Sequence, residues 1–442
     1  MLFYYIFRIF ARRFAEIIVH TLARTDDFLG TDGHGFKKRH GWAARWEWLN
    51  LHKGYTKYRH GSLPQSILSR ELAPASRNHE VPWIISMRSQ AVSFLKSRGF
   101  PCQNKICDNL WTTKICDNLW IKMKKRYNDY GSWIREQFPY RVQKISLDAG
   151  FTCPNRDGKV GRGGCVFCDN RTFNPAYCER EKSITQQIIA GKEFFARKYP
   201  DMKYLAYFQA FSNTYSNVEH LKRLYEEALA VEDVVGIVIG TRPDCVPDDT
   251  LDYLESLNRQ TFMILEYGIE SANNNTLKTI NRGHAFECSA DAIRRTAERG
   301  IITGGHIIIG LPGESPEECL RQTDIISSLP LNILKLHQMQ VVKGTRLAEM
   351  YLGENAHNGE YSGMQPYIYN KVEDYIRLVA EYISRLRPDI ILERFVSQSP
   401  KGMVIAPSWG LKNHEFTNLL DNYLREHDIT QGCSTSRFHS AR

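Results

Sequence analysis

The chain has 442 residues, of which 42% are hydrophobic, 24% charged and 12% aromatic. That length supports two or three domains, and the composition excludes a wholly disordered chain, a collagen and a disulfide miniprotein. The net charge of +9 is uneven. Residues 1–122 carry 19 Lys and Arg against 9 Asp and Glu, while residues 123–442 carry 39 against 40, so most of the chain has no net charge to draw it onto a phosphate backbone. No apolar run reaches the roughly 18 residues of a membrane-spanning helix, and no membrane partner is expected. Eleven cysteines are too sparse for a disulfide scaffold and point to metal or redox chemistry.

The first 122 residues do not read as a domain. Their apolar start is interrupted by Arg8, Arg12, Arg13 and Glu16, which argues against a signal peptide or a membrane span. Asp26, Asp27 and Asp32 argue against a transit peptide. No helical or strand period is sustained over 33–99. The heptapeptide KICDNLW stands at 105–111 and again at 114–120. It is too short for a structural repeat and reads as a tandem duplication rather than a paired motif built on Cys107 and Cys116. Residues 1–122 are therefore expected to be an N-terminal extension, disordered or translated as a leader, with Met123 opening the chain proper. The alternative is a basic arm for nucleic acid or a membrane surface.

From 123 onward strands and helices alternate. Strands are predicted at 142–147, 204–211, 234–240, 262–268, 305–310 and 333–342. Helices are predicted at 184–198, 218–230, 248–257, 285–299 and 316–328. Alternation at this spacing implies a parallel sheet with right-handed crossovers. Six units make a partial (β/α)6 barrel, an α/β fold whose chemistry sits at the C-terminal strand ends. Residues 123–345 are expected to form this core. A small C-terminal α+β domain follows over 346–433, with helices at 372–386 and 415–426 and a strand near 389–395. Residues 434–442 read as a loose tail.

Just after the first strand come Cys153, Cys165 and Cys168, spaced Cys-x11-Cys-x2-Cys on one glycine-rich loop. Soft thiolates select zinc, copper or iron–sulfur clusters. Structural zinc takes four protein ligands, so three cysteines suit a 4Fe–4S cluster with one open iron. A zinc site completed by Cys178 or a nearby His is the alternative. Cys245, Cys288 and Cys319 read as packing thiols.

The stretches KISLDAGFTCPNRDGKVGRGGCVFCDN, KYLAYFQAFSNTY, VVGIVIGTRPDCV, EYGIESANNNTLKTINRGH, GGHIIIGLPGE, LKLHQMQVVKGT and APSWGLKN follow in order through the chain. In this set the chain resembles the YhcC-type radical S-adenosylmethionine (SAM) proteins, a group related to the radical-SAM part of the elongator catalytic subunit. The long first cysteine gap departs from the usual radical-SAM Cys-x3-Cys-x2-Cys and is a feature of that group. The resemblance covers about 123–432 and implies a radical SAM enzyme. Its cofactors would be a 4Fe–4S cluster on Cys153, Cys165 and Cys168, shielded by Phe167, and SAM bound to the open iron. Reductive cleavage of SAM then gives a 5′-deoxyadenosyl radical that takes a hydrogen atom from substrate, while the protein binds, orients and excludes water.

The resemblance also implies site residues at the strand ends. Gln209, Asn213 and Thr214 are expected at the methionyl amine and carboxylate. Arg242 is expected at the SAM carboxylate, unless it pairs with Asp244. Glu270 and Ser271 fall at the ribose position, and Gly310 and Gly313 of GLPGE beside the adenine. GLPGE is not a phosphate loop, because it lacks the Lys-Ser/Thr of that motif. Alternation sends Lys335 and His337 to the same side of the sixth strand, where they are expected to face substrate as catalytic groups, near Gln338 and Lys343. Arg394, Trp409 and Lys412 are candidates for substrate or nucleic-acid contact, with interdomain packing as the alternative. Kinship with the elongator subunit suggests an RNA or tRNA substrate by analogy, although no acetyltransferase domain is present. A reductase, flavodoxin or ferredoxin would donate the electron, and an oxygen-sensitive cluster fits the cytoplasm. The competing reading is a non-catalytic zinc- or RNA-binding module on the same barrel.

Overall fold

Runs such as VVGIVIGT and ITGGHIII have few charged side chains, the mark of strands covered on both faces. The computed structural model describes residues 125–435, except 170–171, 173, 197–201, 354–364, 398 and 401. The N-terminal extension and both copies of KICDNLW lie outside the described residues. Seven parallel strands form the main sheet in the order β1 (Val142–Leu147), β2 (Lys203–Phe208), β3 (Val234–Thr241), β4 (Phe262–Glu270), β5 (Ile302–Ile309), β6 (Ile333–Gln338) and β8 (Ile391–Arg394). A separate antiparallel pair joins β7 (Val341–Val342) to β9 (Val404–Ala406).

The helices are α1 (Tyr130–Gln137), α2 (Pro154–Asp157), α3 (Ile184–Ala196), α4 (Val218–Leu229), α5 (Asp248–Asn258), α6 (Asn274–Thr279), α7 (Phe286–Glu298), α8 (Pro316–Ser328), α9 (Arg346–Leu352), α10 (Val372–Arg385) and α11 (Asn413–Glu426). Their starts follow from local chemistry. Asn217 caps α4 through the His220 amide, and Ser315 caps α8 through the Glu318 amide with Pro316 in the first turn. One face of the sheet meets these helices: Ile145, Phe208, Ile239, Leu265 and Leu336 pack with Ile188, Leu221, Leu254, Ile293, Ile326 and Val379 in one core. Each such side chain, fully buried, contributes about 1.5–3 kcal/mol.

The sheet curls on its other face. Lys144 of β1 and Glu393 of β8 stand on its two edge strands, yet Lys144 Nζ lies 2.7 Å from Glu393 Oε1. The result is an open half-barrel. Its N-terminal end is closed by α1, whose Trp133 ring lies 6.1 Å from that of Phe262. Tyr130, Trp133, Ile134 and Phe138 pack there against Leu205, Val238, Ile264 and Ile333. The C-terminal end is left as the only end of the described half-barrel into which the site loops run.

The expected α/β half-barrel is present, with a seventh strand contributed by the C-terminal segment. β8 pairs with β6 at Ile333↔Ile391. The strand expected over 333–342 stops at Gln338, whose side chain bonds both the amide and the carbonyl of Ser397, and the chain then turns into β7. The strand expected to reach 211 ends at Phe208, because Phe211 adopts a φ of 64°. β5 begins three residues before its expected start. Gly304 and Gly305 hide its strand character, but a Cβ at Gly304 would meet Glu266 Cγ at 3.0 Å, so the close approach there favours glycine. At the far end, Ser434 still donates its amide to Ser384 O at 2.8 Å. Among the described residues no helix is long and apolar enough to cross a membrane.

Candidate active site

The cysteine loop leaves the C-terminal end of β1 and folds on itself before any ligand is considered. Cys153 precedes α2, and its carbonyl accepts from the Arg156 and Asp157 amides. Gly158, at φ 99°, ends the helix in the left-handed region. The Val160 and Gly161 amides return to Pro154 O, the Gly164 amide to Asn155 O, and the Cys168 amide to Cys165 O. The loop is then pinned to the turn that ends α6 and to the start of α9. Val166 N donates to Ile280 O, Asn281 Nδ2 to Gly164 O at 2.8 Å, and Arg346 Nη2 to the same oxygen at 2.6 Å.

Nitrogen donors surround the sulfurs. Asn155 Nδ2 lies 3.8 Å from Cys165 Sγ, Arg282 Nη1 3.7 Å from the same sulfur, and Arg156 Nη1 3.6 Å from Cys168 Sγ. Cys153 and Cys165 are free thiols. Burial pushes the Cys168 thiol up to about 11, and the neighbouring Cys165 and Cys153 add to this while Arg156 opposes it. A buried arginine, Arg282, an exposed one, Arg156, and the buried Asn155 amide facing crowded thiols suit an anionic thiolate-ligated cluster, which would take these sulfurs deprotonated. Arg242 Nη1 and Arg282 Nε are buried without partners among the described residues, a further sign of a site built for an anionic guest. Among the described residues, no three His, Cys, Asp or Glu side chains converge there as round a single ion. A polynuclear cluster needs no such convergence, because each thiolate binds its own iron. Cys178, the expected fourth ligand of the zinc alternative, donates instead to Gln187 Oε1 at 3.4 Å.

The strand-end residues divide into those spent on the fold and those left over. Asn213 Nδ2 bonds Phe208 O and Gly240 O at 3.2 and 2.7 Å. Thr214 Oγ1 pairs with Thr241 Oγ1 and Cys245 O, both at 2.6 Å. Both residues are buried staples between the ends of β2 and β3. Ser271 is likewise buried, bonded to Glu314 and 3.3 Å from Gln322 Oε1. Burial keeps the Glu314 carboxyl above its usual range, against the pull of Ser271 and Gln322. Arg242 makes the Asp244 bridge through two bonds of 2.8 and 2.7 Å and reaches Arg282 O at 2.9 Å. Gln209 accepts from Ser146 Oγ at 3.0 Å. Glu270 takes a φ of 70° and stands 3.8 Å from Arg282 Nη2. A Cβ at Gly310 (φ 97°) would strike Tyr367 O at 2.3 Å, whereas one at Gly313 (φ 83°) would meet nothing.

Deeper in the half-barrel lies a layer of charge. Glu266, fully buried, accepts from Lys144 Nζ at 3.0 Å, Lys335 Nζ at 2.6 Å and Tyr207 OH at 2.8 Å, with His306 Nε2 at 3.2 Å. Lys144 and Lys335 lie over the Tyr207 ring at 5.1 and 4.8 Å. Burial alone would raise the Glu266 carboxyl, but Lys144, Lys335 and His306 outweigh it and hold it well below the usual carboxylate range. Burial pulls the Lys335 ammonium down despite Glu266. His337 follows on the same side, its ring 5.4 Å from that of His306. Its Nδ1 is 2.6 Å from Ser397 Oγ, while its Nε2 is enclosed without a partner among the described residues. Burial, then His306 and Arg394, keep this imidazole well below its usual pKa, hence neutral. Lys335 is thus committed to an ion pair and His337 retains a free nitrogen.

Sequence reasoning missed Asn155, Arg156, Asn281 and Arg282. The run INRGH, polar yet directly after a helix, is the signal that could have found the last two. Trp409 is in packing: its Nε1 donates to Tyr369 O at 2.8 Å and its ring lies 5.2 Å from that of Tyr375. Lys412 is exposed at the start of α11.

Comparison with known proteins accords with this geometry. Residues 155–321 match the radical SAM superfamily, and residues 331–426 match the radical SAM C-terminal domain. Bacillus subtilis YtqA is 34% identical over 70% of this chain and 92% of its own length. Escherichia coli YhcC is 34% identical over 72% of this chain and 98% of its own. More distantly, the tRNA uridine(34) acetyltransferase of Methanocaldococcus jannaschii is 25% identical over 50% of this chain and 38% of its own length. With such identity over nearly the full length of its relatives, the chain belongs to the YhcC-type family of radical SAM enzymes, whose cofactors are a 4Fe–4S cluster and SAM.

Proposed function

We propose that this enzyme cleaves SAM reductively and turns the radical chemistry on an RNA substrate, with tRNA the first to test. The observation that carries the reading is the cysteine loop at the open end of the half-barrel, with Asn155, Arg156 and Arg282 facing its sulfurs. Cys153, Cys165 and Cys168 would hold the cluster. When bound, the cluster supplies the electron that splits SAM and so yields the 5′-deoxyadenosyl radical.

This chain's own residues bind and orient. The unpartnered Arg242 Nη1 is assigned to the SAM carboxylate, and Gln209 to the methionyl amine. Glu270, a carboxylate at the end of β4, suits the two ribose hydroxyls. The backbone of Gly310–Gly313 is assigned to the adenine edge. Asn213, Thr214 and Ser271 keep the strand ends in place for these contacts. His337, with one nitrogen held by Ser397 and the other without a partner, is assigned to a polar group of the substrate. Lys335 positions Glu266 beneath it. The buried layer excludes water from the floor of the site, which a reactive radical requires.

The RNA assignment rests on the similarity to a tRNA uridine(34) acetyltransferase over half of this chain. The test is anaerobic turnover of the reconstituted enzyme with unmodified tRNA, followed by nucleoside mass spectrometry and 5′-deoxyadenosine assay. A tRNA-dependent rise in 5′-deoxyadenosine with a new nucleoside mass is expected. Turnover indifferent to tRNA and unchanged nucleosides would contradict the RNA assignment.

A further inference from the structure

Resting on that radical SAM reading, we propose that the turn between Cys153 and Cys165 is the docking surface for a small acidic one-electron carrier protein. The turn is closed on itself by backbone hydrogen bonds and lies at the surface. Gly158 N bonds Gly161 O, the Val160 and Gly161 amides share Pro154 O, and the backbones of Asp157 and Arg162 pair across it as an antiparallel β-bridge. At its tip Val160 is 46% exposed. Arg156, Lys159 and Arg162 are all exposed around it, and Arg346 reaches the same loop at Gly164 O. Lys159 is steadied over the Tyr215 ring at 5.3 Å. The sole acid of the turn, Asp157, accepts the Lys159 amide.

An exposed apolar tip ringed by fixed cations fits a protein face with an acidic rim better than a nucleic-acid backbone. RNA is followed by cations strung along a surface, whereas these are gathered on one short turn in a region carrying 39 basic against 40 acidic residues. The turn also reaches the sulfurs directly, since Arg156 Nη1 contacts Cys168 Sγ at 3.6 Å. The carrier gives up one electron and the cluster gains one. No bond forms or breaks in that step. Electron-transfer contacts are small and weak, so charge steering dominates the encounter.

The test uses reduced flavodoxin as the carrier and the anaerobically reconstituted full chain. Lys159→Glu/Arg162→Glu is compared with wild type, since neither residue touches a cysteine. Bleaching of the cluster absorbance by flavodoxin hydroquinone is expected to slow by about tenfold or more, within the range of steered association. Reduction by dithionite and the iron content should not change. Flavodoxin binding, followed by titration, should weaken with salt in wild type and be weak in the variant at all salt levels. A flavodoxin with surface acids changed to Lys should recover the rate with the variant. Equal flavodoxin rates for variant and wild type, or no flavodoxin binding by wild type, would overturn the proposal. Loss of tRNA binding with flavodoxin reduction intact would also overturn it and give the surface to nucleic acid. A wild-type chain that takes up no cluster would contradict the radical SAM reading instead, and the binding titration would still decide the docking surface.

Discussion

The cysteine loop and the charged layer inside the half-barrel are both polar, but they are finished to different degrees. In the inner layer Glu266 accepts from two lysines and a tyrosine, and Lys144 also bonds Glu393. Its strong donors and acceptors meet one another. Around the cysteines, nitrogen donors meet sulfurs at long range and two arginines keep unpartnered nitrogens. A self-satisfied buried network holds a shape. A network with buried donors left over holds a guest. The half-barrel therefore separates its tasks along the strand direction, with the floor made permanent and the mouth left incomplete.

The contrast is sharpened most by changing each region in turn. Cys165→Ala should abolish 5′-deoxyadenosine formation and cluster iron while costing only about 1 kcal/mol of stability, the ordinary effect of a point mutation; 5′-deoxyadenosine assay, iron analysis and urea unfolding check this. Glu266→Ala should do the reverse. It leaves Lys144 and Lys335 buried without their shared carboxylate and should cost about 3–5 kcal/mol in urea unfolding. The double change Glu266→Gln/Lys335→Met should cost less than the sum of its single changes, because it removes charge of both signs. If Glu266→Ala unfolds like wild type, the permanent-floor idea fails.

Smaller effects should mark the boundary between the two regions. Gly310→Ala combines the clash with Tyr367 O and a left-handed φ, and roughly 1–3 kcal/mol of strain is expected. Gly313→Ala meets open space and should lose only the roughly 1–2 kcal/mol of the backbone conformation. The smallest effect is in pH. His337 is held neutral well below its unfolded pKa of 6.5. Below about pH 6.5 the unfolded chain binds a proton that the folded chain refuses, so stability falls as pH falls through this range. His337→Asn should flatten the slope of stability between about pH 7 and pH 5, although half-buried His284, lowered to about 4, keeps part of it. An unchanged slope would show that His337 is protonated in the fold.

Much of the fold was legible because its signals are local. The βα alternation, the span of α8 and the start of β1 follow from runs of ten to fifteen residues. The three cysteines stood out for the same reason. What the sequence did not show was partnership across the chain. Lys144 meets residues 122 and 249 positions away, and nothing near Lys144 marks it as one edge of a closed charge layer. Lys335 read as a group free for substrate because its partner, Glu266, is 69 positions distant. Asn213 and Thr214 read as cofactor ligands by their place at a strand end. In the structure their side chains bond Gly240 and Thr241, 27 positions on, on the neighbouring strand. The strand near 389–395 was expected, but not its place as the seventh strand of the main sheet, for a similar reason: a four-residue strand in the C-terminal segment gives no hint of which sheet it joins.

The central claim is that the cysteine loop carries a cluster open to SAM. Low-temperature electron paramagnetic resonance of the anaerobically reconstituted, reduced protein, recorded with and without SAM, tests it most directly. The account predicts the signal of a reduced 4Fe–4S cluster that changes shape when SAM is added and is missing from Cys165→Ala. A cluster signal indifferent to SAM, or a protein that retains tightly bound zinc and no cluster, would contradict it.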